Sequence, residues 1–326
     1  MHRLTLRFKG IVTLLVLLVW LSGCSRQDLY DAAIAYERNA AGLVEASIVV
    51  DGRTIAYLHN KTPQEGRALV LLHGFAANKA HWLRMARYLT GTYNVYAIDL
   101  PGHGDSSQAP DGDYSIEAQT GYVNAILDAL GLGQVHMVGN SMGGAITALY
   151  AARYPTHLDS ATLLDPAGVL EYDSEFVSLV REGNNPLIVR EPGDFERLVD
   201  FTLEQEPFVP WPIYSVMEDR ALAREAINER IFLQIRDFGY QPAFRDALNS
   251  ITAPVLIVWG KKDRVINYRN AEVFAERITR SRKVILDNVG HAPMIEVPEE
   301  TAKLVADWIE RSSPPPTEAL SRIAPD

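Results

Sequence analysis

Cysteine is almost absent from this chain: Cys24 is the only one, so no disulfide can form within the molecule. The eight histidines are scattered, and neither an HExxH pattern nor a Cys/His cluster with metal-ligand spacing occurs. Structural zinc is therefore not expected, and no metal or cofactor is implied. Positive charge is short as well. The 31 Lys+Arg face 41 Asp+Glu for a net charge of −10. A surface that holds nucleic acid needs a cationic excess, so that class of partner is excluded. Long apolar runs are missing too. Ile11 to Leu21 covers 11 uncharged residues, whereas crossing a bilayer core takes roughly 20. There is no internal repeat. What remains, 47% hydrophobic and 22% charged residues over 326 positions, is an ordinary globular composition that rules out wholesale disorder.

Arg3, Arg7 and Lys9 precede the short apolar run, and small residues follow it, which reads as a secretory signal peptide. Leu21-Ser22-Gly23-Cys24 resembles the lipobox of bacterial lipoproteins. That resemblance implies cleavage after residue 23, a diacylglyceryl group on the Cys24 sulfur and acylation of the new amino terminus. Several acyl chains, at about 0.8 kcal/mol per buried CH2, would hold the protein on a membrane almost permanently. Ser25 stands where an inner-membrane retention signal would place Asp, so the expected location is the cell envelope, at the outer membrane. The competing reading is a plain signal peptide, or an uncleaved anchor, with an incidental cysteine. Without its basic leader the chain is still more acidic, so the anchor and not charge would attach it to lipid. Gln27 to Gly42 then reads as a short helix stopped by glycine, either a spacer or a lid element within a linker over 24–43.

Ser47–Val50 and Thr54–Leu58 are β-branched runs around Asp51-Gly52, a strong hairpin signal. Beyond them, short apolar runs alternate with helical patterns. The runs are Ala68–Leu72, Val95–Ile98, Val135–Val138, Ala161–Leu164, Val255–Trp259 and Val284–Leu286, as expected of strands buried on both faces. The helical patterns are Ala80–Leu89, Ile116–Leu130, Met142–Tyr154, Ala271–Arg277 and Thr301–Glu310. This alternation predicts a mostly parallel sheet with helices on both faces. It is interrupted over 166–249, where helical pattern dominates, so that segment reads as a helical cap inserted between two parts of a core, 44–165 and 250–311. Ser312 to Pro316 cannot continue a helix, and 312–326 is expected to be a flexible tail.

The motif with the most chemistry is Gly139-Asn140-Ser141-Met142-Gly143, a G-x-S-x-G between a strand and a helix. A sharp strand-to-helix turn lifts the serine hydroxyl above the sheet, and small neighbours let the chains pass. A serine hydroxyl needs a base to take its proton, and the base needs an orienting group. His291 follows the last strand and Asp263 follows Val255–Trp259, so both sit beyond the carboxyl ends of sheet strands, where open α/β sheets place their sites. Asp165, at the end of the preceding strand, competes with Asp263 for the acid. His73 and His103 read as hydrogen-bonded structural residues in turns. His81, His136 and His157 read as surface or edge histidines, and Asp287 as solvated. The backbone N–H groups of Phe75 and Met142 are the expected donors to a developing oxyanion.

Leu72-His73-Gly74-Phe75, Asp99-Leu100-Pro101-Gly102-His103-Gly104, Gly139-Asn140-Ser141-Met142-Gly143-Gly144, Trp259-Gly260-Lys261-Lys262-Asp263 and Gly290-His291 together resemble α/β-hydrolase fold enzymes. More narrowly the chain looks like cold-active bacterial lipases and related monoacylglycerol lipases, from about Val44 to Ile309. The resemblance implies an α/β-hydrolase fold with an inserted cap. It implies a Ser141, Asp263, His291 triad acting without a cofactor or an obligate protein partner on monoacylglycerols or other short- to medium-chain esters. Two alternatives stay open. One is a carbon–carbon bond hydrolase sharing the Gly-Asn-Ser-Met-Gly-Gly elbow, disfavoured because Phe75-Ala76-Ala77-Asn78 and Ala292 depart from that group. The other is a catalytically silent anchored binding protein, which has no chemical reason to keep all three triad residues. Within the cap, Pro207-Phe208-Val209-Pro210-Trp211-Pro212-Ile213-Tyr214 has too much proline for a regular helix. It reads either as an apolar lip for an acyl chain or membrane, or as side chains packing the cap onto the sheet.

Overall fold

Asp51 and Gly52 both adopt positive φ, 49° and 73°, the geometry of a two-residue hairpin turn whose twist matches its flanking strands. They join β1 (Leu43–Val50) to β2 (Arg53–Asn60), antiparallel with Val50 opposite Arg53. The computed structural model describes residues 25–109 and 111–312. The expected signal peptide, Cys24 and positions 313–326 lie outside the described residues.

The described residues open with α1 (Arg26–Ala40), capped by Ser25 in a capping box with Asp28. After the hairpin come β3 (Ala68–Leu72), a 3-10 turn at Lys79–Trp82, α2 (Leu83–Ala86) and β4 (Asn94–Ile98). Next are α3 (Ile116–Ala129), β5 (Val135–Asn140), α4 (Met142–Arg153) and β6 (Leu158–Leu164). Residues 166–249 hold five α-helices and no strand: α5 (Glu175–Arg181), α6 (Asp194–Thr202), α7 (Trp211–Leu222), α8 (Glu225–Ile235) and α9 (Pro242–Leu248). The chain then completes the sheet with β7 (Val255–Gly260), α10 (Asn270–Arg277), β8 (Ser281–Leu286), α11 (Pro293–Glu296) and α12 (Pro298–Ser312).

The eight strands form one sheet in the order β1-β2-β4-β3-β5-β6-β7-β8, with β1 and β2 antiparallel to their neighbours and the remaining pairs parallel. Strand order reverses at β3, so the connections leaving β3 and β5 diverge and open a crevice at their carboxyl ends. Side-chain alternation divides the core. Val70 and Leu72 join the cluster of Ile146, Trp259 and Phe274, while Leu69 and Leu71 join Trp82, Met85 and Val305 on the other face. All of β3 is buried, as a central parallel strand must be when helices cover both faces.

Three expectations need correction. β8 is only half-buried over most of its length, because it is the sheet edge with a neighbour on one side. The helix expected over Ala80–Leu89 is a 3-10 turn followed by the four residues of α2. The proline-rich segment does contain regular helix: Pro210 occupies the cap of α7 and Pro212 falls in its first turn, where a missing N–H removes no intrahelical bond.

Candidate active site

Between the end of β5 and the start of α4, Ser141 takes φ 54° and ψ −116°, a conformation that a side chain adopts only when its surroundings force it. The forcing is visible. A Cβ on Gly139 would run into the Gly143 carbonyl, and one on Gly143 into the Leu72 carbonyl. The Ser141 N–H donates to the Leu164 carbonyl (3.0 Å), and its own carbonyl accepts from Ala145 (3.0 Å) and Ala167 (2.9 Å). The turn is held from β6, from α4 and from the segment after β6.

His291 lies in the loop after β8, in a buried position. Its backbone N–H donates to Thr202 at the end of α6 (2.8 Å). Its carbonyl accepts from Asn140 Nδ2 (3.0 Å), which ties the histidine loop to the residue beside Ser141. Its Nδ1 lies 2.8 Å from Asp263 Oδ2. With Nδ1 donating to the carboxylate, Nε2 of the neutral ring is the nitrogen left with a lone pair, and that is the proton-accepting tautomer. Asp263 Oδ2 also accepts from Trp259 Nε1 (3.1 Å), and Oδ1 from the N–H groups of Val265 (2.8 Å) and Ile266 (2.9 Å). Four donors converge on this carboxyl and fix its orientation toward His291.

Asp165 sits near this pair but does not replace Asp263. It has no surface exposure and a positive φ of 45°, and its Oδ1 accepts from the Gly260 N–H (2.8 Å). Burial and the neighbouring Asp263 charge push its pKa well above the usual carboxylate range. Asp165, Asp263 and His291 bring one potential ligand atom each within 4.8 Å of one another. The His291 and Asp263 atoms are already bonded to each other, and Asp165 favours its proton, so the trio suits a proton-sharing cluster better than a cation.

Gly74 presses the loop after β3 against the turn, for a Cβ there would stand 3.1 Å from Ser141 Cβ. This sets Phe75 beside Ser141, while Met142 is the first residue of α4, where backbone N–H groups lack intrahelical partners. Ser141, Phe75 and Met142 line one cavity of about 460 Å³, walled mainly by apolar side chains that include Leu170, Phe176 and Phe232. Phe232 packs its ring 5.9 Å from Phe75 and 6.1 Å from Phe176.

Three other histidines do structural work. His73 donates from Nδ1 to the Gly74 carbonyl (2.8 Å) and accepts at Nε2 from the Leu100 N–H (3.1 Å); burial lowers its pKa to about 4. Buried His103 bonds the Pro101 carbonyl (3.2 Å). His136 departs from the expected surface position: it is buried and pairs with Ser160 Oγ at 2.9 Å. Asp287 is exposed, paired with Lys261 at 2.7 Å.

Three positioning residues carry no advance signal in the chain. Asn140 lies inside the pentapeptide at its variable position, and Trp259 ends an apolar strand. Glu296 receives the N–H groups of Gly290 (2.9 Å), Ala292 (3.2 Å), Glu204 (2.9 Å) and Gln205 (2.9 Å), clamping the histidine loop to the start of the α6–α7 connection.

Comparison with known proteins fits this geometry. The model of the alpha/beta hydrolase fold family matches residues 67–207. Lipase 1 of Psychrobacter immobilis is 34% identical over 275 residues, covering 82% of this chain and 85% of the lipase. A monoacylglycerol lipase of Xenopus laevis is 30% identical over 284 residues, covering 84% of each chain. Among solved structures, a membrane phospholipase A described as a bacterial virulence factor is 40% identical with a TM-score of 0.85, covering 96% of this chain and 99% of its own. The chain belongs to the α/β-hydrolase fold family. Within that family its kinship with lipases and monoacylglycerol lipases makes it a carboxylic ester hydrolase that acts on lipid esters.

Proposed function

We propose that this hydrolase is held on the envelope membrane through lipidated Cys24, with the outer membrane as its site, and that it cleaves monoacylglycerols or similar single-chain esters through an acyl-enzyme. In this reading residues 44–165 and 250–311 form the catalytic core, 166–249 the cap and 24–43 a linker. Ser141 Oγ attacks the ester carbonyl while His291 Nε2 takes its proton, and Asp263 orients the ring and stabilises its charge. The N–H groups of Phe75 and Met142 receive the oxyanion, an effect worth about 3–4 kcal/mol per donor. His291 then passes the proton to the departing alcohol oxygen. Water, deprotonated by the same imidazole, next cleaves the Ser141 ester and releases the fatty acid. No step calls for a metal or cofactor.

The observation that carries this reading is the position of Ser141 in the wall of the apolar cavity of about 460 Å³. A dry cavity of ~150 Å³ takes the six carbons of benzene, so this one has room within it for roughly eighteen. Single acyl chains of medium length fit it with space to spare. The 40% identity to a membrane phospholipase A supports a second reading, in which the ester belongs to a phospholipid. The carbon–carbon hydrolase alternative loses ground because Phe75-Ala76-Ala77 replaces the glycine-richer loop of that group.

The deciding experiment measures turnover of monoacylglycerols, lysophospholipids and p-nitrophenyl esters from four to eighteen acyl carbons. Medium-chain single-tail esters should turn over best and Ser141→Ala should abolish hydrolysis. Absence of ester turnover at every length would sink the proposal. Cys24→Ser should release the protein from membranes; continued attachment would remove the lipoprotein part alone.

A further inference from the structure

Two large aromatic side chains on the helical segment stand in solvent: Phe208 is 87% exposed and Trp211 71%. Neighbours in the helix that Trp211 begins, α7, pack normally. Tyr214 sets its ring 5.0 Å from Phe195, and Val216 is buried. The packing alternative for this segment therefore holds for Tyr214 and Val216 and fails for Phe208 and Trp211. Pro207, Pro210 and Pro212 fix φ around the pair, so the tip is preorganised and loses little freedom on docking.

The base of this tip is wired to the active site. Thr202 accepts from the His291 N–H (2.8 Å), Glu204 and Gln205 both donate to Glu296 (2.9 Å each), and Gln205 Nε2 reaches the Asn288 carbonyl (2.7 Å). The other end of α7 meets α1. Arg26 pairs with Asp219 (3.3 Å), and Arg220 lies over the Tyr30 ring at 4.6 Å. Eight residues separate Trp211 from Asp219, about 12 Å along a helix. Arg26 thus lies a short helix away from the aromatic tip, and a lipid on Cys24, two positions earlier in the chain, would hold the tip close to the membrane. Exposed Glu204 and Glu206 flank the tip, and the chain is acidic overall, so its attraction is apolar and not for anionic headgroups.

We infer that Phe208 and Trp211 are a membrane-docking tip that inserts into the interface of an electrically neutral phospholipid bilayer and holds the active site against it. The purpose of this contact rests on the lipid-ester reading; its existence rests on the exposure and placement of the two rings. Aromatic residues with an apolar body favour that interfacial zone.

The test uses the full chain with phosphatidylcholine vesicles carrying brominated acyl chains, which quench tryptophans that enter the bilayer. Quenching should be stronger in the parent than in Trp211→Phe, the difference being Trp211 itself, and should weaken when phosphatidylglycerol replaces phosphatidylcholine. Phe208→Ser/Trp211→Ser should hydrolyse esters embedded in vesicles about ten-fold or more slowly, since each buried aromatic contributes at least that factor to partitioning. Its turnover of a soluble p-nitrophenyl ester should match the parent. Equal quenching in parent and Trp211→Phe overturns the inference. So does unchanged hydrolysis of vesicle esters, and so does a dimer that the double variant loses while no quenching appears, which would put a second copy on the patch. Quenching by Trp211 without soluble-ester turnover in the parent supports docking and defeats the lipid-ester reading instead.

Discussion

Asp263→Asn is the substitution whose outcome the geometry constrains most tightly. Each oxygen of Asp263 receives two donors, His291 Nδ1 and Trp259 Nε1 on Oδ2, Val265 and Ile266 N–H on Oδ1. An asparagine amide has no acceptable orientation there. With its nitrogen toward Val265 and Ile266, it opposes two backbone donors that cannot turn away. With its nitrogen toward His291, it forces Nδ1 to accept, which moves the ring proton to Nε2 and removes the base. The tautomer change alone lowers kcat by about 10⁴ in serine hydrolases of this logic, close to 5.5 kcal/mol of transition-state stabilisation. The assay is kcat on a saturating p-nitrophenyl ester, with thermal melting to show that the variant folds. Asp165→Asn is the control, since Asp165 lies near the pair but its Oδ1 is held by the Gly260 N–H (2.8 Å). A folded Asp263→Asn enzyme within about ten-fold of the parent, or a larger loss from Asp165→Asn, would refute the assignment of Asp263 as the orienting acid.

Other outcomes follow from the same contacts. Because burial and Asp263 raise the Asp165 pKa, the folded state prefers Asp165 protonated. Its contribution is fully present below the ordinary carboxylate pKa and is lost as pH rises through the folded value. Asp165→Asn, which cannot ionise, should therefore melt higher than the parent at neutral and alkaline pH and lose that advantage in acid; a pH-independent difference would contradict the argument. Lys79 Nζ stands 2.8 Å from the fully buried Asp99, so Lys79→Met, which leaves only backbone N–H donors on that carboxylate, should destabilise the fold by about 3–5 kcal/mol in urea titration, and a loss below about 1 kcal/mol would be incompatible with a buried charge deprived of its counterion. Asn140→Leu removes the bond to the His291 carbonyl (3.0 Å) and should lower kcat more than it raises KM; a change confined to KM would contradict a positioning role.

Much of this architecture was legible in the chain because its signals are local. Two β-branched runs and six short apolar runs placed all eight strands, Asp51-Gly52 placed the hairpin, and glycines at 139 and 143 marked a turn that only small residues permit. The pairing of His291 with Asp263 could be expected from chain order and strand ends. The supports could not. Trp259 reads as one more apolar residue of a buried strand, and its indole N–H matters only because folding brings Asp263 back over it. Glu296 reads as a surface acid in a short helix, yet it collects four backbone donors from two segments far apart in sequence. Exposure was left open: the segment that holds Phe208 and Trp211 reads either as an apolar lip or as packing of the cap, and only the path of the α6–α7 connection turns these two rings outward. The half-buried β8 and the shortened α2 are tertiary outcomes too, set by a missing sheet neighbour and by a 3-10 turn.

The most direct test of the central claim, that Ser141 is made nucleophilic by the His291–Asp263 pair, is covalent labelling with diethyl p-nitrophenyl phosphate followed by peptide mass analysis. The account predicts loss of p-nitrophenolate, one diethylphosphoryl group on Ser141 Oγ, and none in His291→Ala within the same time. Labelling at another residue, or labelling of Ser141 at an unchanged rate without His291, would contradict it.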